Sequence, residues 1–122
     1  MVQDVTTYDD FTTLHEKIVN IRFASPDSSI GLYQEAYEYF FKKQDYSSAV
    51  QSLVELAIVH GHKAEYQEAY DNLWKALLIA DEQDNVFSKK VAYLHLGRYY
   101  SFYKREGDAL EYYQKALNIC KE

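Results

Sequence analysis

Proline and glycine are scarce: Pro26 is the only proline, and there are four glycines in 122 residues. Turn-rich all-β folds use both residues freely, so their scarcity argues for helices joined by short connections. Cysteine is scarcer still. Cys120 has no second cysteine to pair with, which excludes an internal disulfide and fits a reducing compartment. It reads as a small apolar residue of the last helix. No basic run occurs, and 13 Lys and Arg against 19 Asp and Glu leave a net charge of −6. A chain of that sign repels the nucleic-acid backbone and anionic membrane surfaces alike. The longest uninterrupted apolar run, Ala76 to Ala80, is five residues, far short of the ~18 needed to span a bilayer. The opening stretch, Met1 to Thr7, lacks the basic region and apolar core of a signal peptide. These absences together lead us to expect one domain, residues 1–122, in the cytoplasm, binding neither nucleic acid nor membrane.

What the sequence does contain is helical periodicity. Phe11, Leu14, Ile18 and Ile21 recur at spacings of three and four, one face of a helix over about residues 9–23. Thr7 and Asp10 form a capping-box-like start, and Pro26 enforces a stop at Ser25. Five further helices are expected at about 29–43, 47–61, 65–81, 86–104 and 107–120. The second is capped by Asp27 or Ser28, with Lys42 and Lys43 in its last turn, where cations suit the helix dipole. Its apolar face is Ile30, Tyr33, Ala36, Tyr37, Phe40 and Phe41. The third, from Ala49 to Ile58, is apolar nearly all round and therefore buried between neighbours, with Gly61 as its stop. The fourth turns Tyr66, Leu73, Trp74 and Leu77 inward, and the sixth carries Ala109, Leu110, Tyr113, Ala116 and Leu117.

Six helices of similar length invite a search for a period. The string Tyr33-Gln34-Glu35-Ala36-Tyr37 recurs as Tyr66-Gln67-Glu68-Ala69-Tyr70, 33 residues on, and alignment on Ala36, Ala69 and Ala109 gives steps of 33 and 40. The longer step is assigned to the polar loop Glu82 to Asn85 and a longer fifth helix. Within the last unit, Tyr93, Leu96, Gly97 and Tyr100 are followed by Ala109, Tyr113 and Ala116. This spacing resembles the tetratricopeptide repeat (TPR), W-x2-L-G-x2-Y…A-x3-F, with Tyr93 in place of Trp and Tyr113 in place of Phe. The resemblance is strong over 50–119 and loose before, where Lys43 replaces the late Ala; the closing Pro of the motif is absent throughout. It implies an all-α fold, a right-handed α-α superhelix (solenoid) of three antiparallel hairpins at about 9–43, 47–81 and 86–120. A rival register, pairing the second helix with the third through Tyr46 and Ala49, stays open.

No phosphate-binding loop, dinucleotide fingerprint, nucleophile elbow or zinc-protease motif is present. His60-Gly61-His62 has two histidines that diverge on a helix, with no nearby Cys or Asp to complete a metal site. His15-Glu16 reads as an ordinary surface helix histidine. The expectation is therefore no enzyme, no cofactor and no metal.

In proteins with this repeat, the first helix of each hairpin lines a concave face that receives peptides or partner helices. By that resemblance the groove positions are Gln51, Val54, Glu55, Ile58 and His62, then Val91, Leu94, His95, Arg98 and Phe102. The set has one unambiguous cation, Arg98, and no Asn, so it does not reproduce the carboxylate clamp of chaperone-binding relatives. It points instead to an apolar peptide or amphipathic helix with an acidic group. Thirteen tyrosines are either contact residues or fillers between repeats. The motif residues Tyr93, Leu96, Gly97 and Ala109 are assigned to packing. The sixth helix shows an apolar outer edge, which predicts either a homodimer through that edge or a longer protein continuing past the third repeat. The expected function is a non-catalytic protein-interaction module. Its resemblance is to the N-terminal sensory region of bacterial signalling proteins, such as GGDEF diguanylate cyclases or transcription regulators. The alternative is a self-associating structural module.

Overall fold

The computed structural model describes residues 11–20 and 23–121. Six helices occur in order: α1 (Phe11–Ile18), α2 (Pro26–Lys42), α3 (Tyr46–His62), α4 (Tyr66–Glu82), α5 (Val86–Phe102) and α6 (Glu106–Lys121). No strand occurs among the described residues, so the fold is all-α, as the scarcity of turn residues implies. The Thr7 and Asp10 cap and Ile21 lie outside the described residues.

The turns show how so few glycines suffice. Each of the last four connections places one residue in the left-handed region: Gln44 (φ 63°), Ala64 (64°), Asp84 (47°) and Lys104 (59°). At the first, the Asp45 amide donates to the Phe40 carbonyl at 2.9 Å and the Gln44 amide to Phe41 at 3.0 Å. Glu65 and Ala64, Asn85 and Asp84, and Arg105 and Lys104 repeat the same pair of bonds. This is the Schellman arrangement, which satisfies the last carbonyls of a helix and normally favours glycine at the left-handed position. Here non-glycine residues fill it at 20-residue intervals.

That spacing corrects several expected boundaries. α2 begins at Pro26, with Ser25 rather than Asp27 or Ser28 as N-cap, because proline's fixed φ and missing N–H suit the first helical turn. Lys42 and Lys43 do close α2. α3 runs through Gly61 to His62, and Ala64 makes the stop. α5 ends at Phe102 and is no longer than α2, α3 or α4, each of 17 residues. The loop at 82–85 is the same tight turn as the others, so the step is 40 throughout and the 33-residue string repeat is displaced from it. Two helical turns account for the difference.

α3 is the centre of the molecule. It packs along α4 and α2, and touches α1 and α5. Accordingly Ala49, Val50, Leu53, Val54, Leu56, Ala57 and Val59 are all buried. The most extensive pairings are α3 with α4 and α5 with α6, followed by α2 with α3; α4 meets α5 less closely. Odd helices also touch in succession, α1 with α3 and α3 with α5, whereas even helices make no comparable contact among the described residues. Side chains tie the odd helices together at their starts. Asp45 caps α3 by accepting from the Ser48 amide at 3.2 Å, and Asn85 caps α5 by accepting from the Ser88 amide at 2.9 Å. The Asn85 side-chain amide also donates to Ser47 Oγ at 3.0 Å, and the Phe11 amide donates to Ser48 Oγ at 3.2 Å. The three odd helices are thereby held at matched heights.

The outer surfaces depart from the predicted faces. Phe41, Tyr66 and Trp74 are at least one-third exposed. Leu110 (66% exposed) and Leu117 (48%) on α6, by contrast, form the apolar outer edge expected of that helix, because no described element packs on that side. Cys120, in the last helix as expected, is likewise exposed and forms no disulfide.

Candidate functional site

The matched heights of α1, α3 and α5 create a continuous depression along them. Its larger cleft, of about 520 Å³, is walled by Ile58, His62, His95, Arg98 and Phe102, with Leu73 and Ala69 of α4 at its back. A smaller cleft, of about 260 Å³, is formed by Phe11, His15, Gln51, Glu55 and Val91, with Val54 and again His95. His95 is the shared wall. Of the ten residues assigned to a groove from the sequence, nine line these two clefts. Leu94 lines neither and is half-buried. Val54, 2% exposed, is packed between helices and has almost no surface to offer.

The same positions recur every 40 residues. Phe11, Gln51 and Val91 form one row across α1, α3 and α5, and His15, Glu55 and His95 form the next. Sequence reasoning named the members on α3 and α5 but missed Phe11 and His15, because it stepped into the first hairpin by 33 residues. A 40-residue step would have found them. It also missed Phe23, Tyr66, Tyr99 and Tyr103 in the larger cleft. Phe23 lies beyond α1 and packs on His62, with ring centroids 4.4 Å apart. Tyr66 meets Phe102 at 6.0 Å and Tyr103 at 5.2 Å, giving the cleft an aromatic rim.

The electrostatics of the two clefts differ. Burial, reinforced by the neighbouring Arg98 guanidinium, lowers the His95 pKa to about 4, so the shared wall is a neutral imidazole near neutral pH. Arg98 is exposed and makes no ion pair among the described residues. Burial and the nearby Tyr99 and Tyr66 raise the Tyr103 hydroxyl to about 12, so it stays protonated. Among the described residues, the larger cleft thus combines an apolar and aromatic lining with one cation. The smaller one contains the Glu55 carboxylate and two imidazoles.

The remaining histidines separate. His60 is nearly buried and its Nδ1 lies 2.9 Å from Glu65 Oε1, while His62 turns to Phe23. His15 Nδ1 lies 2.7 Å from the Tyr33 hydroxyl. No group of three metal-ligating side chains forms among the described residues. Most of the tyrosines of α4, α5 and α6 fill the joint between those helices. Tyr100 stacks on Tyr112 with ring centroids 5.5 Å apart, and its hydroxyl reaches Tyr70 at 3.3 Å. Arg105 covers Tyr100, and Lys115 covers Tyr112. Tyr100 and Tyr112 are thus fillers between helices, whereas Tyr66, Tyr99 and Tyr103 line the larger cleft.

No helix is long and apolar enough to cross a membrane among the described residues. No curated protein and no solved structure matches the chain. A sequence model described as tetratricopeptide repeat matches residues 48–122, which takes in essentially all of α3 to α6, the two best-paired hairpins. With more than half its length so matched, the chain belongs to the tetratricopeptide repeat family, whose repeats form protein-interaction modules.

Proposed function

We propose that the chain is a non-catalytic interaction module of three helical hairpins that receives a peptide or partner helix across α1, α3 and α5. The carrying observation is the convergence of Gln51, Glu55, Ile58, His62, Val91, His95, Arg98 and Phe102 on two clefts that meet at one side chain. A concave apolar channel with a few polar groups suits a partner segment laid along it. In this reading the module acts in the cytoplasm as the regulatory region of a bacterial signal-transduction protein, such as a diguanylate cyclase or transcription regulator; that context rests on resemblance alone. Photo-cross-linking tests the surface. A photoreactive residue at Phe102 should capture a partner, and one at Leu78, exposed on α4, should not. Capture from Leu78 alone would refute the groove.

A second reading, self-association, is favoured by Leu110 and Leu117 on α6, both exposed. They lie seven residues apart, about two helical turns, and so on one face. Sedimentation at rising concentration tests it: a monomer throughout sinks this reading, and a dimer dispersed by Leu117→Glu supports it.

A further inference from the structure

The larger cleft has a charge pattern opposite to that of the whole chain. The protein carries a net −6, yet no Asp or Glu lines this cleft among the described residues. Its one guanidinium, Arg98, is exposed and unpaired among them. Arg105, just outside, pairs with Asp108 at 2.7 Å. Around Arg98 stand exposed aromatic groups: Phe102 at 69%, Phe23 at 43% and Tyr66 at 38%. Clustered, solvent-facing aromatic rings beside one desolvating wall mark a surface that is covered in use. A free guanidinium among them selects a planar anion, which its fork can hold through two hydrogen bonds.

Building on the interaction-module reading, we propose that this cleft receives an internal acidic segment of a protein partner, in which a large apolar side chain stands beside an Asp or Glu. The apolar side chain enters between Ile58, Leu73, Tyr66 and Phe102, and the carboxylate meets Arg98. A single arginine suits one carboxylate better than a phosphate, which carries close to two charges and is usually met by several cations. The cleft meets the smaller one at His95, leaving room for the rest of the segment on that side.

The test is selection of short peptides from a random library by the whole chain, followed by resynthesis of the winners with acetylated and amidated ends. The expected result is enrichment of Asp or Glu next to Phe, Leu, Ile or Trp. Replacing that acid by its amide in the peptide should weaken binding by about tenfold, the scale of one charge-assisted hydrogen bond. Arg98→Gln should lose the acidic preference and keep the apolar one, and Arg98→Lys should retain part of both. The peptide-side change needs no protein variant, so the proposal stays testable even if Arg98→Gln unfolds. Winners without an acidic preference, or a preference that survives Arg98→Gln, would overturn it while leaving the interaction module standing. Binding that is lost on amidation of the peptide end would overturn it in favour of a C-terminal carboxylate. Selection of no peptide above background would sink both this proposal and the interaction reading.

Discussion

Gly97→Ala tests the closeness of α5 and α6 more directly than any other change. A Cβ built on Gly97 would lie 2.7 Å from Tyr113 Cε1, 2.8 Å from Cδ1 and 3.2 Å from Cγ. Carbon atoms prefer separations of about 3.5–4.0 Å, so the ring would have to retreat by about 0.8 Å. Three of its carbons are involved, including the one nearest the backbone, so a swing of the ring tip alone does not relieve the contact. Overpacking of this kind costs about 1–3 kcal/mol. Alanine in a helix interior returns about 1 kcal/mol relative to glycine. The expected net is a loss of about 1 kcal/mol. Gly31→Ala is the control: Gly31 lies within α2, and its added Cβ would meet nothing within 4 Å. It should stabilise by about 1 kcal/mol. Urea unfolding followed by fluorescence of Trp74 separates the two. Trp74 is the single tryptophan, and its ring lies 6.2 Å from that of Tyr112 on α6. In a Tyr113→Ala background the penalty of Gly97→Ala should vanish, a coupling readable from a double-mutant cycle. If Gly97→Ala stabilises as much as Gly31→Ala, the close approach of Gly97 to Tyr113 is wrong.

Three further outcomes follow from the turns, the caps and the shared wall of the clefts. Ala64→Gly relieves a left-handed alanine (φ 64°); relief of about 1–2 kcal/mol, less the entropy gained by the unfolded chain, leaves about 0.5–1 kcal/mol of stabilisation in thermal unfolding. Ser48 and Ser88 occupy equivalent sites 40 residues apart, but Ser48 Oγ donates to Asp45 at 2.7 Å and accepts from Phe11, whereas buried Ser88 Oγ has no partner among the described residues. Ser48→Ala should therefore cost about 1–2 kcal/mol and Ser88→Ala should be neutral or stabilising, as measured by denaturant unfolding. For His95, burial and Arg98 lower the pKa from 6.5 to about 4, so protons bind the unfolded chain first. Its contribution is complete above pH 6.5 and is lost as pH falls toward 4, by at most about 3 kcal/mol. His95→Gln should remove that part of the acid dependence, and parallel curves for variant and parent would refute the burial of His95.

Much of this was legible in the sequence because helices announce themselves through periodicity. Leu14, Ile18, Tyr33, Ala36, Phe40 and the continuous apolar stretch of α3 are buried where the spacing put them. The groove positions of α3 and α5 came from the resemblance to the repeat, and nine of the ten line the two clefts, although Val54 is buried. Boundaries were harder. Pro26 reads equally as a loop residue and as a first helical residue, and Gly61 looks like a stop although its added Cβ would meet nothing within 4 Å. The exposure of Tyr66 and Trp74 was not legible at all, whereas that of Leu110 and Leu117 was legible only as an apolar outer edge of the last helix. An apolar residue on a helix face is buried only if something lies opposite, and that depends on tertiary neighbours.

The displaced repeat shows why letters can mislead where geometry does not. The two copies of Tyr-Gln-Glu-Ala-Tyr begin at Tyr33 and Tyr66, the eighth residue of α2 and the first of α4. Seven residues are close to two turns, so the copies occupy the same face at different heights. Helix packing rewards the face and tolerates the shift, and a match of letters therefore survives without a match of position. The true period is carried by backbone conformation at Gln44, Ala64, Asp84 and Lys104, four unlike residues that no letter comparison would align. Taken at that period, the position of Arg98 is filled by Ile58 in α3 and by Ile18 in α1, and Ile18 is fully buried. At this repeat position the cation is thus peculiar to the last hairpin. In the proposed complex the acidic group of the partner meets Arg98, so the register of the bound segment is set at the Arg98 end.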